Sequence, residues 1–266
     1  MLKTYKLNRK PIVIEIKVTT IYPTKIKVIL KDKYKPYSIY TNRYKTVVGD
    51  DKFYMKFPQT PEIAELIISN MDGSDIDFMI NDIKFKKLNI KIEMFDYKNN
   101  QTYYFIKFIR SFCENAGILS TGIYMDDIIS RISRFRIDYV NVISTKDGLL
   151  KTPCLVNSST AIMTVSKKYF LQYTVYERII LLLHEFSHLY LNKDIYNEIE
   201  ADRHALMIYL GLGYPRVEAF KVFTKIFKNN PTEENYKRLE YIKKIIYDFD
   251  EKYNNIKFYP NYKIGA

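Results

Sequence analysis

Apolar and polar residues change their period once along the chain. In residues 11–18, PIVIEIKV, Ile14, Ile16 and Val18 fall on one side and Glu15 and Lys17 on the other, the period of a half-buried strand. Residues 25–30 repeat it, with Ile26 and Val28 opposite Lys25 and Lys27. Further strands are predicted at 38–41, 52–57, 75–80 and 88–95, with turn chemistry at Val48-Gly49-Asp50-Asp51 and Met71-Asp72-Gly73-Ser74. Residues 62–70 fit either a strand or a short helix. Residues 1–96 thus read as a small antiparallel β domain, sandwich-like or barrel-like.

Beyond Asn100 the period lengthens. Tyr104, Phe105, Phe108, Ile109 and Phe112 are at helical spacing, and Gly117 supplies a stop. A second helix is predicted over 125–135, and strands over 137–143 and 161–165. Thr174-Val175-Tyr176-Glu177 spells a capping box at the head of a helix running to about Leu191. That helix is apolar almost all round, so it belongs in a core. Another is predicted from about Ile195 to Leu210, Pro215 opens the next, and Asn230-Pro231-Thr232-Glu233 caps the last, to about Tyr253. The expectation is an α+β chain: the β domain over 1–96, then a mainly helical domain with a small sheet over 97–266.

Three histidines are all the chain has, and they fall in one window, LLLHEFSHLYLNKDIYNEIEADRHA. His184 and His188, four residues apart, differ by about 40° in azimuth and about 6 Å along a helix axis, so both rings leave one face. On an apolar helix two imidazoles and a glutamate are costly unless paired or metal-bound. Two imidazoles suit Zn²⁺, and Glu185, one step around the helix, sits where it can take a proton from water at the ion's open position. A third ligand is expected from the following helix, with Glu198, Glu200 and His204 as candidates. If Glu200 were the ligand, His204 would share its face. If Glu198 is, His204 lies about 120° away and reads as surface or supporting.

HEFSH followed by NEIEAD resembles the zinc signature of gluzincin-type metallopeptidases, in the compact form of phage and ImmA/IrrE-like peptidase domains. The resemblance covers roughly residues 137–215. It implies His184, His188 and Glu198 as zinc ligands, Glu185 as the base, and Asp202 as the carboxylate that fixes a ligand histidine. Ala201 would be the small residue that lets the two helices approach. The implied reaction is peptide-bond hydrolysis, with a polypeptide substrate lying along a strand edge, for which 161–165 is the candidate. Such enzymes also steady the oxyanion with a Tyr, His or Arg, and Tyr190, Tyr209 and Tyr214 are nearby tyrosines.

The net charge of +12 sits almost wholly at one end: residues 1–45 hold twelve Lys or Arg against Glu15 and Asp32. Such an end could meet an anionic partner, or it could be the lysine-decorated outer face of a sheet, and no nucleic-acid-binding motif accompanies it. Cys113 and Cys154 form neither a disulfide framework nor a C-x-x-C pair. The amino-terminal segment lacks the apolar core of a secretory signal, and no apolar run is long enough for a membrane span. A soluble chain in a reducing compartment is expected, cytoplasmic or carried in a virion.

An alternative function comes from composition. Rich in Ile, Lys, Asn and Tyr, the chain resembles proteins of tailed bacteriophages, crAss-like phages included. That resemblance implies a virion ring or connector protein near portal and tail, homo-oligomeric and in contact with other virion proteins. A nucleic-acid-binding protein built on structural zinc fits worse, since such sites use four ligands and are rich in cysteine.

Overall fold

The computed structural model describes residues 1–71, 78–89, 100–126, 135–146 and 148–253. The chain is α+β: an antiparallel sheet comes first, followed by helices and smaller sheets.

The first sheet holds β1 (Leu2–Lys6), β2 (Ile12–Asp32), β3 (Ile39–Phe57), β4 (Ile63–Asn70) and β5 (Phe78–Lys87). Here the structure corrects the predicted pattern. The strands expected at 11–18 and 25–30 are one strand of 21 residues, and those at 38–41 and 52–57 are one strand of 19. The chemistry at 48–51 makes a bend instead of a reversal. Gly49 is left-handed (φ 67°) and pairs with Thr20, where β2 itself slips register before Thr24. Both strands therefore fold over together. Thr20 donates its hydroxyl to the Val47 carbonyl and Thr24 donates to that of Tyr22, which satisfies carbonyls at the break. Tyr22, whose parity would place it inside, is 62% exposed.

On either side of the bend, even-numbered residues of β2 point inward. Ile14, Ile16, Val18, Ile26, Val28 and Leu30 are all buried, against Met55, Phe57, Leu66 and Ile68. The amino-terminal half of β2 pairs with β5 and β3, the other half with β4 and β3. Residues 62–70 resolve as strand β4. The predicted strand at 75–80 begins at Phe78, and β5 runs on to Lys87, a stretch the alternation had not marked. Residues 72–77 and 90–95 of the remaining expectations lie outside the described residues. Lysines line the outer face with carboxylates among them: Lys31–Glu65, Lys45–Asp51, Lys84–Asp82 and Lys86–Glu15.

Helix α1 (Asn100–Asn115) follows, with Gly117 just past its end as expected. Of the helix predicted at 125–135, residues 127–134 lie outside the described residues, and Met125 closes strand β6 (Gly122–Met125). A second sheet has the order β10 (Cys154–Asn157), β11 (Ile162–Ser166), β7 (Arg136–Val140), β6. A short hairpin, β8 (Ser144–Thr145) and β9 (Gly148–Leu149), lies between β7 and β10 in sequence and stands apart. β7 and β11 run parallel, and β11 is flanked on both sides. The stretch proposed as a docking edge is therefore interior. The edge is β10.

The helices are α2 (Lys167–Phe170), α3 (Val175–Tyr190), α4 (Glu198–Gly211), α5 (Arg216–Asn229) and α6 (Glu233–Tyr253). The capping box of α3 forms as expected, with both its hydrogen bonds present. Helix α3 is the centre of the molecule. Its Arg178, fully buried, donates to the carbonyls of Tyr37, Cys113, Phe170 and Leu171 and so ties the β2–β3 turn, α1 and α2 to one point. The first sheet packs onto the helices through more such bonds. Tyr40 and Gln59 both donate to Glu114, Tyr214 donates to the Gln59 side chain, and Thr41 and Arg43 donate to the buried Glu218. One contiguous set of buried side chains runs through both regions. No helix among the described residues is long and apolar enough to cross a membrane.

Candidate metal centre

Two of the three donors come from α3, and the third from the first residue of α4. Asn197 caps α4 by accepting from the Glu200 N–H, so the helix starts at Glu198, three residues later than its apolar pattern suggested. Only seven residues, 191–197, connect the two helices. The chain therefore doubles straight back and sets the start of α4 beside the end of α3. Ala201 is completely buried where they meet.

The donor atoms form a small triangle. His184 Nε2 and His188 Nε2 are 3.1 Å apart, His184 Nε2 is 3.3 Å from Glu198 Oε2, and His188 Nε2 is 3.5 Å from Glu198 Oε1. Metal–ligand bonds of about 2.0–2.1 Å in tetrahedral geometry put donors about 3.3 Å apart. The two contacts of Glu198 use different oxygens, and with one donor atom taken from each residue the three lie within 4.8 Å of one another, close enough that His184, His188 and Glu198 could hold a metal ion. Two imidazoles and a carboxylate are donors that a borderline-soft divalent cation accepts.

Each imidazole is held by its far nitrogen. His188 Nδ1 is 2.7 Å from the Ile195 carbonyl, which can only accept, so Nδ1 carries the proton and Nε2 is left with its lone pair towards the triangle. His184 Nδ1 is 2.9 Å from Asp202 Oδ1, near but not in line for a straight hydrogen bond. Asp202, the carboxylate expected beside a ligand histidine, is fully buried and lies next to His184. Burial alone would lower the His184 pKa, but Asp202 and Glu198 outweigh it and push it up to about 10. Glu198 feels burial in the opposite sense, and the contact with His184, then Arg238 and His188, hold it down at about 2.

Glu185 stands beside this triangle and outside it. Its Oε1 accepts from the Cys154 thiol at 3.7 Å, which steers the carboxylate towards the edge strand β10. Burial raises the Glu185 pKa, with the two histidines opposing. A carboxylate shifted that way is a better base than an exposed one. Burial and the neighbouring Glu185 raise the Cys154 thiol far above its ordinary range, so it acts as a donor and not as a thiolate ligand.

The remaining candidates fall elsewhere. Glu200 accepts from the Lys193 N–H and meets His204 Nε2 at 3.7 Å, and neither joins the donor triangle. Tyr209 is buried with its hydroxyl directed at the Pro215 carbonyl, and Tyr214 is engaged by Gln59 and Arg110. Tyr190 packs its ring edge-to-face against Phe135 and at a tilt against Phe186. Two contributors escaped sequence reasoning. Cys154 is one; nothing in its neighbourhood of sequence marks it. The other is Arg238, on α6. It donates from Nε and Nη2 to both oxygens of Asp202 at 2.7 and 3.0 Å, and its Nη2 is 2.9 Å from Glu198 Oε2. Its signal was present: Asn235, Ile242 and Ile245 are buried residues of α6, Arg238 falls at helical spacing with them, and an arginine on that side needs a carboxylate.

No protein-family model matches the chain, and no curated protein matches its sequence.

Proposed function

We propose that the chain is a zinc-dependent peptidase that hydrolyses peptide bonds, as the H-E-x-x-H resemblance implies. The observation that carries this reading is a conjunction: α3 and the start of α4 bring two imidazoles and a carboxylate together, and beside them stands a second carboxylate left out of that group, next to a strand that is a sheet edge among the described residues. Two histidines and one glutamate are a catalytic type of zinc set, since three protein ligands leave a fourth position open. Bound there, zinc supplies a Lewis acid that makes water nucleophilic near neutral pH and polarises a carbonyl.

The chain's own groups supply the rest. Glu185 accepts a proton from the attacking water and returns it to the departing amine, a relay for which a raised pKa is suited. Ile195 and Asp202 hold the imidazoles so that neither swings away. Strand β10 offers the substrate a backbone partner. Pro153 gives its carbonyl to Ser166 N–H on β11, so by strand alternation Cys154 and Val156 turn theirs away from β11, where that of Cys154 accepts from the Thr152 hydroxyl at 3.0 Å. An extended peptide paired there would run alongside Glu185, which Cys154 touches.

The test is metal content and cleavage measured on the same purified chain. Zinc at one equivalent, cleavage in a broad peptide library, and loss of about 10²–10⁴-fold of that cleavage in Glu185→Gln with zinc retained would support the reading. Zinc bound but no peptide cut by either protein would end the peptidase assignment.

A further inference from the structure

Taking His184, His188 and Glu198 as metal donors, we propose that Arg238 is a positioning residue that sets the third donor and thereby the affinity of the site. Glu198 is the first residue of a helix, its side chain 38% exposed, and nothing in its own turn prevents it from swinging into solvent. Arg238 is built to prevent that. Its side chain is only 11% exposed and its guanidinium lies over the Phe227 ring at 4.7 Å. Two donors clamp Asp202 and a third contact holds Glu198 Oε2 at 2.9 Å. With Oε2 so engaged, Oε1 is the oxygen turned to His188, at 3.5 Å. One planar cation thus fixes both carboxylates that define the site: the one that holds His184 and the one that closes the triangle.

Two features separate positioning from a general electrostatic role. A cation beside a metal site repels the metal, so on charge alone removing Arg238 would tighten binding. Positioning predicts the reverse. In addition, four of the five N–H donors of Arg238 are directed at Asp202, Glu198 and Asn235, which is the pattern of a residue that holds its neighbours in place.

The decisive experiment measures Zn²⁺ affinity of the full chain by competition with a chromogenic chelator, and records the visible spectrum of the Co²⁺ form. Wild type, Glu198→Ala, Arg238→Lys and Arg238→Gln are compared. Both Arg238 variants should bind zinc about 10–100-fold more weakly, the effect typical of residues that orient ligands. Their Co²⁺ spectra should move towards that of Glu198→Ala. Arg238→Lys keeps a cation against the buried Asp202 and carries the test if the uncharged variant does not fold. Affinity unchanged in Arg238→Lys, or tightened in Arg238→Gln, would overturn the inference while leaving the metal site in place. Failure of the wild type to bind stoichiometric metal, with no change in Glu198→Ala, would instead overturn the site and the inference with it.

Discussion

Arg178 offers the most demanding test of how this molecule is held together. It is a fully buried guanidinium that donates to four carbonyls and, among the described residues, forms no ion pair, at 2.8 Å to Tyr37, 3.1 Å to Cys113, 3.2 Å to Phe170 and 3.3 Å to Leu171. Burial lowers its pKa, as an unpaired buried cation requires. Lysine keeps the charge but gathers its donors at one point and cannot span carbonyls on three elements. If two of the four bonds are lost, at about 1.5–3 kcal/mol for each hydrogen bond to a charged group, Arg178→Lys costs about 3 kcal/mol or more. For a chain of this size that is a fall in melting temperature of about 6–12 °C. Arg178→Met should be worse, because it leaves all four carbonyls without the donor. The chain has no Trp, so unfolding is best followed by far-ultraviolet circular dichroism in urea, with hydrogen exchange across residues 33–38 to watch the β2–β3 turn. The reasoning is refuted if Arg178→Met is as stable as wild type, as happens when a well-packed apolar side chain replaces a buried ion pair. That result would mean the carbonyls find other partners and the guanidinium is only filling space.

Three further outcomes are expected. Thr174→Ala removes one half of the α3 capping box and should cost about 1 kcal/mol, read in the same urea titration, whereas Thr174→Ser should cost far less. Gly117→Ala would place a methyl group into Tyr37 Cβ, whose own carbonyl is pinned by Arg178, so a loss of about 1–3 kcal/mol is expected where an exposed Gly→Ala change usually stabilises. Replacing Asp202 by Asn turns an amide donor towards either His184 or Arg238. A thermal-denaturation cycle of Asp202→Asn with Arg238→Met should therefore be non-additive by at least about 1 kcal/mol, and additivity within about 0.5 kcal/mol would mean the two do not act as a pair.

What could be read without coordinates, and what could not, follows from how far each signal reaches along the chain. The inward faces of β2, the capping box at Thr174 and the shared face of His184 and His188 are local, and each appears as drawn from the residues. The bend at Gly49 was misjudged because a left-handed glycine serves a reversal and a bulge equally well. Only the partner strand, slipping register at the same level, decides between them. The edge position of β10 was invisible for a similar reason: pairing order is a property of the sheet, and residues 162–166 alternate like any edge strand. Arg238 lies forty residues beyond Glu198 in sequence and meets it only because α6 packs on α4. Its place in a buried stripe announced a carboxylate partner without saying which one.

The short connection between α3 and α4 is what turns a sequence spacing into a ligand triangle, and it can be tested apart from stability. The turn 191–197 does three things at once. Ile195 gives His188 its hydrogen-bond acceptor, Asn197 caps α4 one residue before Glu198, and Asn192 donates to the Asn197 carbonyl at 2.8 Å to hold the turn closed. Inserting two glycines between Asp194 and Ile195 lengthens the connection from seven residues to nine, which by loop-closure entropy alone costs only about 0.2 kcal/mol. The buried faces of α3 and α4 are untouched, so the melting temperature should fall by little. The ligand geometry has no such tolerance, because the Ile195 carbonyl and Glu198 are both set by the length of this turn. Zinc affinity should fall at least about tenfold, the lower end of what loss of a ligand-orienting contact costs. A variant that keeps wild-type affinity would show that α4 finds its place by packing alone, and that the nine-residue spacing between His188 and Glu198 has no bearing on the site.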